Sequence, residues 1–125
     1  MTDCVFCKIV AGEIPARVVF EDDAVLAFED LNPQAPEHVL VIPKGAYVTF
    51  DHFAAEASDA EILDYTRTIA RLCEMLDVRP AHGGGGYRLI SNAGREGVQD
   101  VPHLHVHILA GKPLGRMLPG AKDTP

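Results

Sequence analysis

No stretch of this chain approaches the roughly 20 consecutive apolar residues of a membrane-crossing helix, so no membrane partner is expected. The opening segment, MTDCVFCKIV, lacks a basic start, a long apolar run and a small-residue cleavage site, so no secretory signal is expected either. Cysteine is scarce. Cys4, Cys7 and Cys73 cannot all pair within one chain, which argues against a disulfide scaffold and for a cytoplasmic, reducing location. Positive charge is in short supply too: 11 lysines and arginines face 18 aspartates and glutamates, for a net charge of −7. Such a surface repels DNA and RNA backbones, so no nucleic-acid partner is expected, while a locally positive pocket for a small anion stays compatible with it. Internal repeats and interdomain linkers are missing as well. What remains is an ordinary globular balance, 47% hydrophobic and 23% charged over 125 residues, which fits one domain spanning 1–125 with a packed core.

Pattern reading places a short first helix in CVFCKIVAGEIP, where Phe6, Ile9 and Val10 have helical spacing and Gly12 and Pro15 end it. RVVFE and AVLAFED read as strands joined by an acidic turn, and HVLVIPK as a third strand closed by Pro43. The clearest helix is SDAEILDYTRTIARLCEMLDV. Ser58 and Glu61 form a capping-box pattern there, and Ile62, Tyr65, Ile69, Leu72, Cys73 and Leu76 make one apolar stripe. The Gly83–Gly86 run is followed by neither a Gly-Lys-Ser/Thr sequence nor a helix, so it reads as a turn feeding the strand YRLISN and not as a phosphate loop. A last strand is expected over His103–Leu109. The order predicts an α+β fold: a mainly antiparallel sheet of about five strands with two helices packed on it.

The last strand carries the chemistry. In VPHLHVHIL, side chains alternate between faces, so His103, His105 and His107 share one side and Leu104, Val106 and Ile108 the other. Three histidines in strict alternation are a poor match to a polar face filled at random. Two functional readings stand: a metal site, which would commonly recruit a further ligand from elsewhere, and nucleophilic catalysis by a neutral imidazole with its neighbours orienting it and handling protons.

The run His103-Leu104-His105-Val106-His107-Ile108 resembles the signature of the histidine-triad family. The upstream stretch CVFCKIVAGEIPARVVFEDDAVLAFEDLNPQAPEHVLVIPK and the downstream stretch YRLISNAGREGVQDVPHLHVHILAGKPLG are similar to the two halves of its nucleotide-binding (Hint) branch. The resemblance implies a purine nucleoside phosphoramidase that binds AMP-type nucleotides and cleaves the bond to the α-phosphate through a nucleotidyl-histidine. It implies His105 as nucleophile, its other ring nitrogen held by a backbone carbonyl of the same strand. His107 would assist the leaving group and His103 would shape the site. Asn92 and Gln99 would meet the nucleotide near the phosphate, Asp30 the ribose hydroxyls, and Phe6, Ile9, Ile14, Phe28 and Leu31 the purine. A homodimer is implied, and no required cofactor. Dinucleoside polyphosphate hydrolysis, or nucleotide binding and scaffolding with little turnover, are the alternatives.

Two departures qualify the resemblance. Asp100 follows Gln99 where many members of the branch have a serine whose hydroxyl donates to the substrate. An ionised carboxylate cannot donate and repels phosphate, so Asp100 either faces away or favours amines that bring a positive charge. Some bacterial relatives also hold structural zinc with a Cys-x-x-Cys pair and two histidines. Here Cys4, Cys7 and His103 supply three candidate ligands, short of four, so zinc is not favoured unless the fold brings His38 or His52 close. The tail lacks a tryptophan-containing end, so leaving-group selectivity does not carry over.

Overall fold

Side-chain alternation in the first third of the chain builds half of a sheet. The computed structural model describes residues 4–118. After helix α1 (Val5–Val10) come strands β1 (Val18–Glu21), β2 (Val25–Glu29) and β3 (Glu37–Pro43), then helices α2 (Phe50–Glu56) and α3 (Asp59–Met75), a 3₁₀ turn at Pro80–His82, and strands β4 (Tyr87–Ile90) and β5 (Val106–Ala110). The five strands form one antiparallel sheet in the order β1-β2-β3-β5-β4. This is the expected α+β architecture. The seven-residue α2 is an addition to it: it is too short to show a helical period, and Thr49 caps it by accepting from the His52 N–H at 3.3 Å.

Each face of the sheet buries a different set. Val25 and Ala27 of β2, Val39 and Val41 of β3, and Val106 and Ile108 of β5 pack with Phe53 of α2 and Tyr65, Leu72 and Cys73 of α3. Leu26, Phe28, Leu40 and Ile42 point the other way, against Cys4 and Phe6 around α1. The long helix therefore seals one face, and the short α1 covers only part of the other, which leaves room there for a ligand. The capping box is formed in full: Ser58 Oγ accepts from Glu61 N–H at 3.1 Å and the Glu61 carboxylate from Ser58 N–H at 3.0 Å. Ser58→Ala is expected to destabilise the protein by about 1 kcal/mol, read as a lower midpoint with unchanged slope in urea unfolding.

The glycine run is a turn, as its sequence suggests. A Cβ on Gly84 would lie 2.4 Å from the Val78 carbonyl carbon, so only glycine lets the two backbones meet. The amides of Gly83, Gly84 and Gly86 donate to the carbonyls of Pro80, Arg79 and Val78 and so are not gathered around an anion. Among the described residues no helix is long and apolar enough to cross a membrane. Of the Pro- and Gly-rich tail, residues 119–125 lie outside the described residues.

Candidate active site

The strand expected over His103–Leu109 is shorter in the structure, and the reason lies in its hydrogen bonds. The ladder to β3 begins at Val106, paired with Val41. Before it, His103 N–H turns back to the Val101 carbonyl and Leu104 N–H donates to the Tyr47 carbonyl, both at 2.8 Å. The chain bends at His103, yet the side chains still alternate. Leu104, Val106 and Ile108 enter the core under α3, and the three histidines face the α1 side.

The histidines divide the work among them. His103 is 1% exposed and does not line the cavity. Its Nε2–H donates to the Pro43 carbonyl at 2.7 Å, and its Nδ1 faces the two thiols of Cys4 and Cys7 at 3.7 and 3.4 Å. His105 donates from Nδ1–H to the His103 carbonyl at 2.8 Å. That bond fixes the tautomer and leaves the lone pair on Nε2. The His105 ring packs against Phe6 with centroids 4.9 Å apart, and His107 follows at 5.0 Å.

A fourth histidine completes the row. His38, at the start of β3, accepts from Gln34 N–H at Nδ1 (3.1 Å), so its own proton sits on Nε2 and points to His107 Nδ1 at 2.9 Å. His107 is thereby held as its Nε2–H tautomer. Burial pushes the His107 pKa down to about 4, helped by neighbouring His105 and His38 and opposed by Asp30. Burial lowers His38 as well, with Asp30 pulling the other way. Sequence reading weighed His38 only as a zinc ligand. A lone histidine opening an otherwise apolar strand was the available sign of a buried, partnered imidazole.

A cavity of about 410 Å³ opens in front of this row, within the usual range for small-molecule sites. Phe6, Ile9, Ile14, Phe28 and Leu31 line it, together with His105, His107, Asp30 and Asp100. Phe6 and Phe28 are buried and meet edge to face at 5.6 Å, while Leu31 is 78% exposed and forms the rim. Asp30 is oriented by Asn32 N–H, 2.8 Å from Oδ1, and its Oδ2 lies 3.5 Å from His38 Nε2. Asn92 and Gln99 are not in the lining. The Asn92 amide donates to the Gly97 carbonyl (2.7 Å). Gln99 donates to the carbonyls of Val48 (2.6 Å) and Val101 (3.0 Å) and accepts from Gly94 N–H (3.1 Å). Both side chains fasten the loop that presents Asp100.

Cys4, Cys7 and His103 come together with their ligand atoms within 4.8 Å of one another, and Asp30, His38 and His107 form a second such group. The thiol group fits zinc in softness and in the tautomer of His103. Neither histidine considered as a fourth ligand joins it. His38 belongs to the second group, and His52 accepts from Val48 N–H at 2.9 Å and lies 3.8 Å from Glu56. Three donors among the described residues leave a tetrahedral site one short. Without a metal, burial and the Cys4 thiol push Cys7 up to about 11, so it stays protonated.

Comparison with known proteins agrees with this geometry. The family model for the HIT domain matches residues 11–114. The purine nucleoside phosphoramidase of Escherichia coli (strain K12) is 42% identical over 117 residues, 93% of either chain. The 14 kDa zinc-binding protein of Zea mays is 43% identical over 111 residues, covering 88% of this chain and 83% of that one. Among solved structures, a histidine triad protein from Clostridium difficile superposes with a TM-score of 0.79 at 42% identity, covering 94% of this chain and 98% of that one.

Proposed function

The chain belongs to the histidine-triad (HIT) family, and from that premise we propose that it cleaves purine nucleoside phosphoramidates, the activity for which its Escherichia coli relative is named. That it is a hydrolase follows from its relatives; the substrate is our reading. One observation carries it: the His103 carbonyl holds the Nδ1 proton of His105, so an unprotonated Nε2 belongs to a residue lining the cavity.

In this reading the purine lies among Phe6, Ile9, Ile14, Phe28 and Leu31, and Asp30 accepts from the ribose hydroxyls. His105 Nε2 attacks phosphorus and the P–N bond breaks, its electron pair leaving with the amine. The His107 Nε2–H, its tautomer fixed by the His38 bond to Nδ1, donates a hydrogen bond to the bridging nitrogen, and the departing amine takes its proton from solvent. Water then attacks the nucleotidyl-His105 and releases its proton to solvent, the P–N bond to Nε2 breaks with its electron pair returning to His105, and the nucleoside monophosphate departs. Splitting one displacement into two is the gain of covalent catalysis. His38→Ala removes the donor that fixes the His107 tautomer and is expected to lower kcat by about 100-fold with KM little changed, as measured by steady-state kinetics.

The charge of the cavity supports an amide of phosphate over a polyphosphate. Among the described residues its lining holds the carboxylates of Glu29, Asp30 and Asp100 and no lysine or arginine. A polyphosphate chain would place several negative charges there without a counter-ion. The purified protein is therefore expected to turn over an adenosine phosphoramidate with kcat/KM at least about 100-fold above that for a diadenosine polyphosphate, a gap of roughly 2.7 kcal/mol in the barrier. The opposite ranking would make it a dinucleoside polyphosphate hydrolase, and AMP binding without any turnover a scaffolding module.

No cofactor enters these steps. Cys4, Cys7 and His103 would be the zinc ligands, and a bound ion would supply rigidity behind His105. Chelator-treated protein is expected to retain its phosphoramidate turnover, as read by a direct rate comparison. Loss of activity restored by zinc would contradict a purely structural role. We also propose that two copies join along β4, the sheet's edge, where Tyr87 and Leu89 are exposed.

A further inference from the structure

The pinned loop beside the histidines has a chemical consequence for the leaving group. Gln99 fixes the backbone on one side of Asp100 through Gly94 and Val48, and reaches across it to the Val101 carbonyl. Val98, a β-branched residue, is held at φ 57°, a conformation that such side chains rarely adopt. The loop thus gives up local backbone comfort to keep its shape, and that shape sets Asp100 in the wall shared with His105 and His107.

Asp100 differs from the other two carboxylates of the cavity. Asp30 is oriented by Asn32 N–H and faces His38, and Glu29 lies 3.8 Å from Arg17. No hydrogen bond or ion pair engages Asp100 among the described residues. With no lysine or arginine in the lining among the described residues, the substrate itself is a source of the cation. The phosphoryl group cannot be that source, since it is anionic, and the purine and ribose meet apolar walls and Asp30. The leaving amine can.

We propose that Asp100 determines specificity by selecting phosphoramidates whose leaving amine bears a second, protonated nitrogen, as in a monophosphoramidate of a diamine or of a basic side chain. The inference rests on the phosphoramidase reading. The carboxylate accepts a charge-assisted hydrogen bond from the remote ammonium, which also offsets its repulsion of the nearby phosphate. The P–N bond still breaks with its electrons going to the nearer nitrogen, which takes a proton from solvent; the remote ammonium is unchanged.

The test compares two adenosine phosphoramidates of equal length, one made with butanediamine and one with n-pentylamine, on the full chain. The cationic substrate is expected to have the higher kcat/KM by about tenfold, the scale of a partly exposed charged hydrogen bond. That preference should shrink with added salt, persist in Asp100→Glu, and fall to near unity in Asp100→Asn. Turnover of both substrates with no preference in the wild type, or with the same preference in D100N, overturns the role of Asp100 and leaves the phosphoramidase reading standing. Turnover of neither overturns that reading and the selection with it. Should D100N misfold, Asp100→Ser carries the same comparison, its preference expected near unity and an unchanged preference overturning the role.

Discussion

Alanine at position 105 is expected to lower phosphoramidate turnover by at least about 10⁴-fold, the scale seen when a covalent nucleophile is removed. A neutral imidazole has one nitrogen that donates and one that can attack, and a 2.8 Å bond to a carbonyl fixes which is which in His105. The ring is wedged between Phe6 and His107, with centroids 4.9 and 5.0 Å away, so it has little room to rotate out of line. His103 cannot substitute for it. That ring is buried, with one nitrogen on Pro43 and the other on the thiols. His107 is committed at Nδ1 to His38, which leaves a proton and not a lone pair at Nε2. Only one of the three can be the attacking base. The measurements are steady-state rates together with intact-protein mass spectrometry on acid-quenched wild type. A nucleotidyl adduct mapped to any other residue, or full activity in H105A, would remove the basis of the proposed reaction.

The second large effect is on stability, and it depends on pH. His107 has a folded-state pKa near 4, against 6.5 for an ordinary histidine, because burial opposes its charged form. His38 and His103 are shifted in the same direction by burial. Between these limits the unfolded chain binds protons that the folded chain does not. Stability from these groups is complete above about pH 6.5 and is lost as pH falls toward 4. His107 alone accounts for about 3 kcal/mol over that window at roughly 1.4 kcal/mol per pH unit. For a chain of this size, that corresponds to a fall of about 10 °C in Tm. Calorimetry of the chelator-treated protein across that range tests it. His107→Gln, whose amide oxygen can still accept from His38, is expected to flatten the decline. A Tm independent of pH down to 4.5 would contradict the burial described here.

Most of the fold was legible because its elements have strong local codes. Val, Ile and Leu alternation marked β2 and β3, and Ser58 with Glu61 marked the start of α3. The missing α2 has one buried side chain, Phe53, and a cap that serine- and threonine-containing loops share. The length of β5 was misjudged because alternation reports an extended backbone and not its partner. The chain bends at His103, and the amides of His103 and Leu104 answer to Val101 and Tyr47. The cavity walls named from the sequence do come together, as do the two cysteines with His103. His38 was not legible as part of the row because its value arises only across the sheet, from a residue 69 positions away. Asn92 and Gln99 illustrate the reverse. An amide suited to binding a phosphate is equally suited to tying a loop, and residue type does not distinguish the uses.

The atom that orients the His105 imidazole is main-chain oxygen at position 103, which no codon change can delete. Random mutagenesis should therefore find few single substitutions that reverse the tautomer directly. The vulnerability is mechanical: a shift of a few tenths of an ångström between adjoining peptide units would let the ring swivel. Inactivation on warming is accordingly expected to run ahead of global melting, with the His105 ring losing its aim while the sheet is still intact.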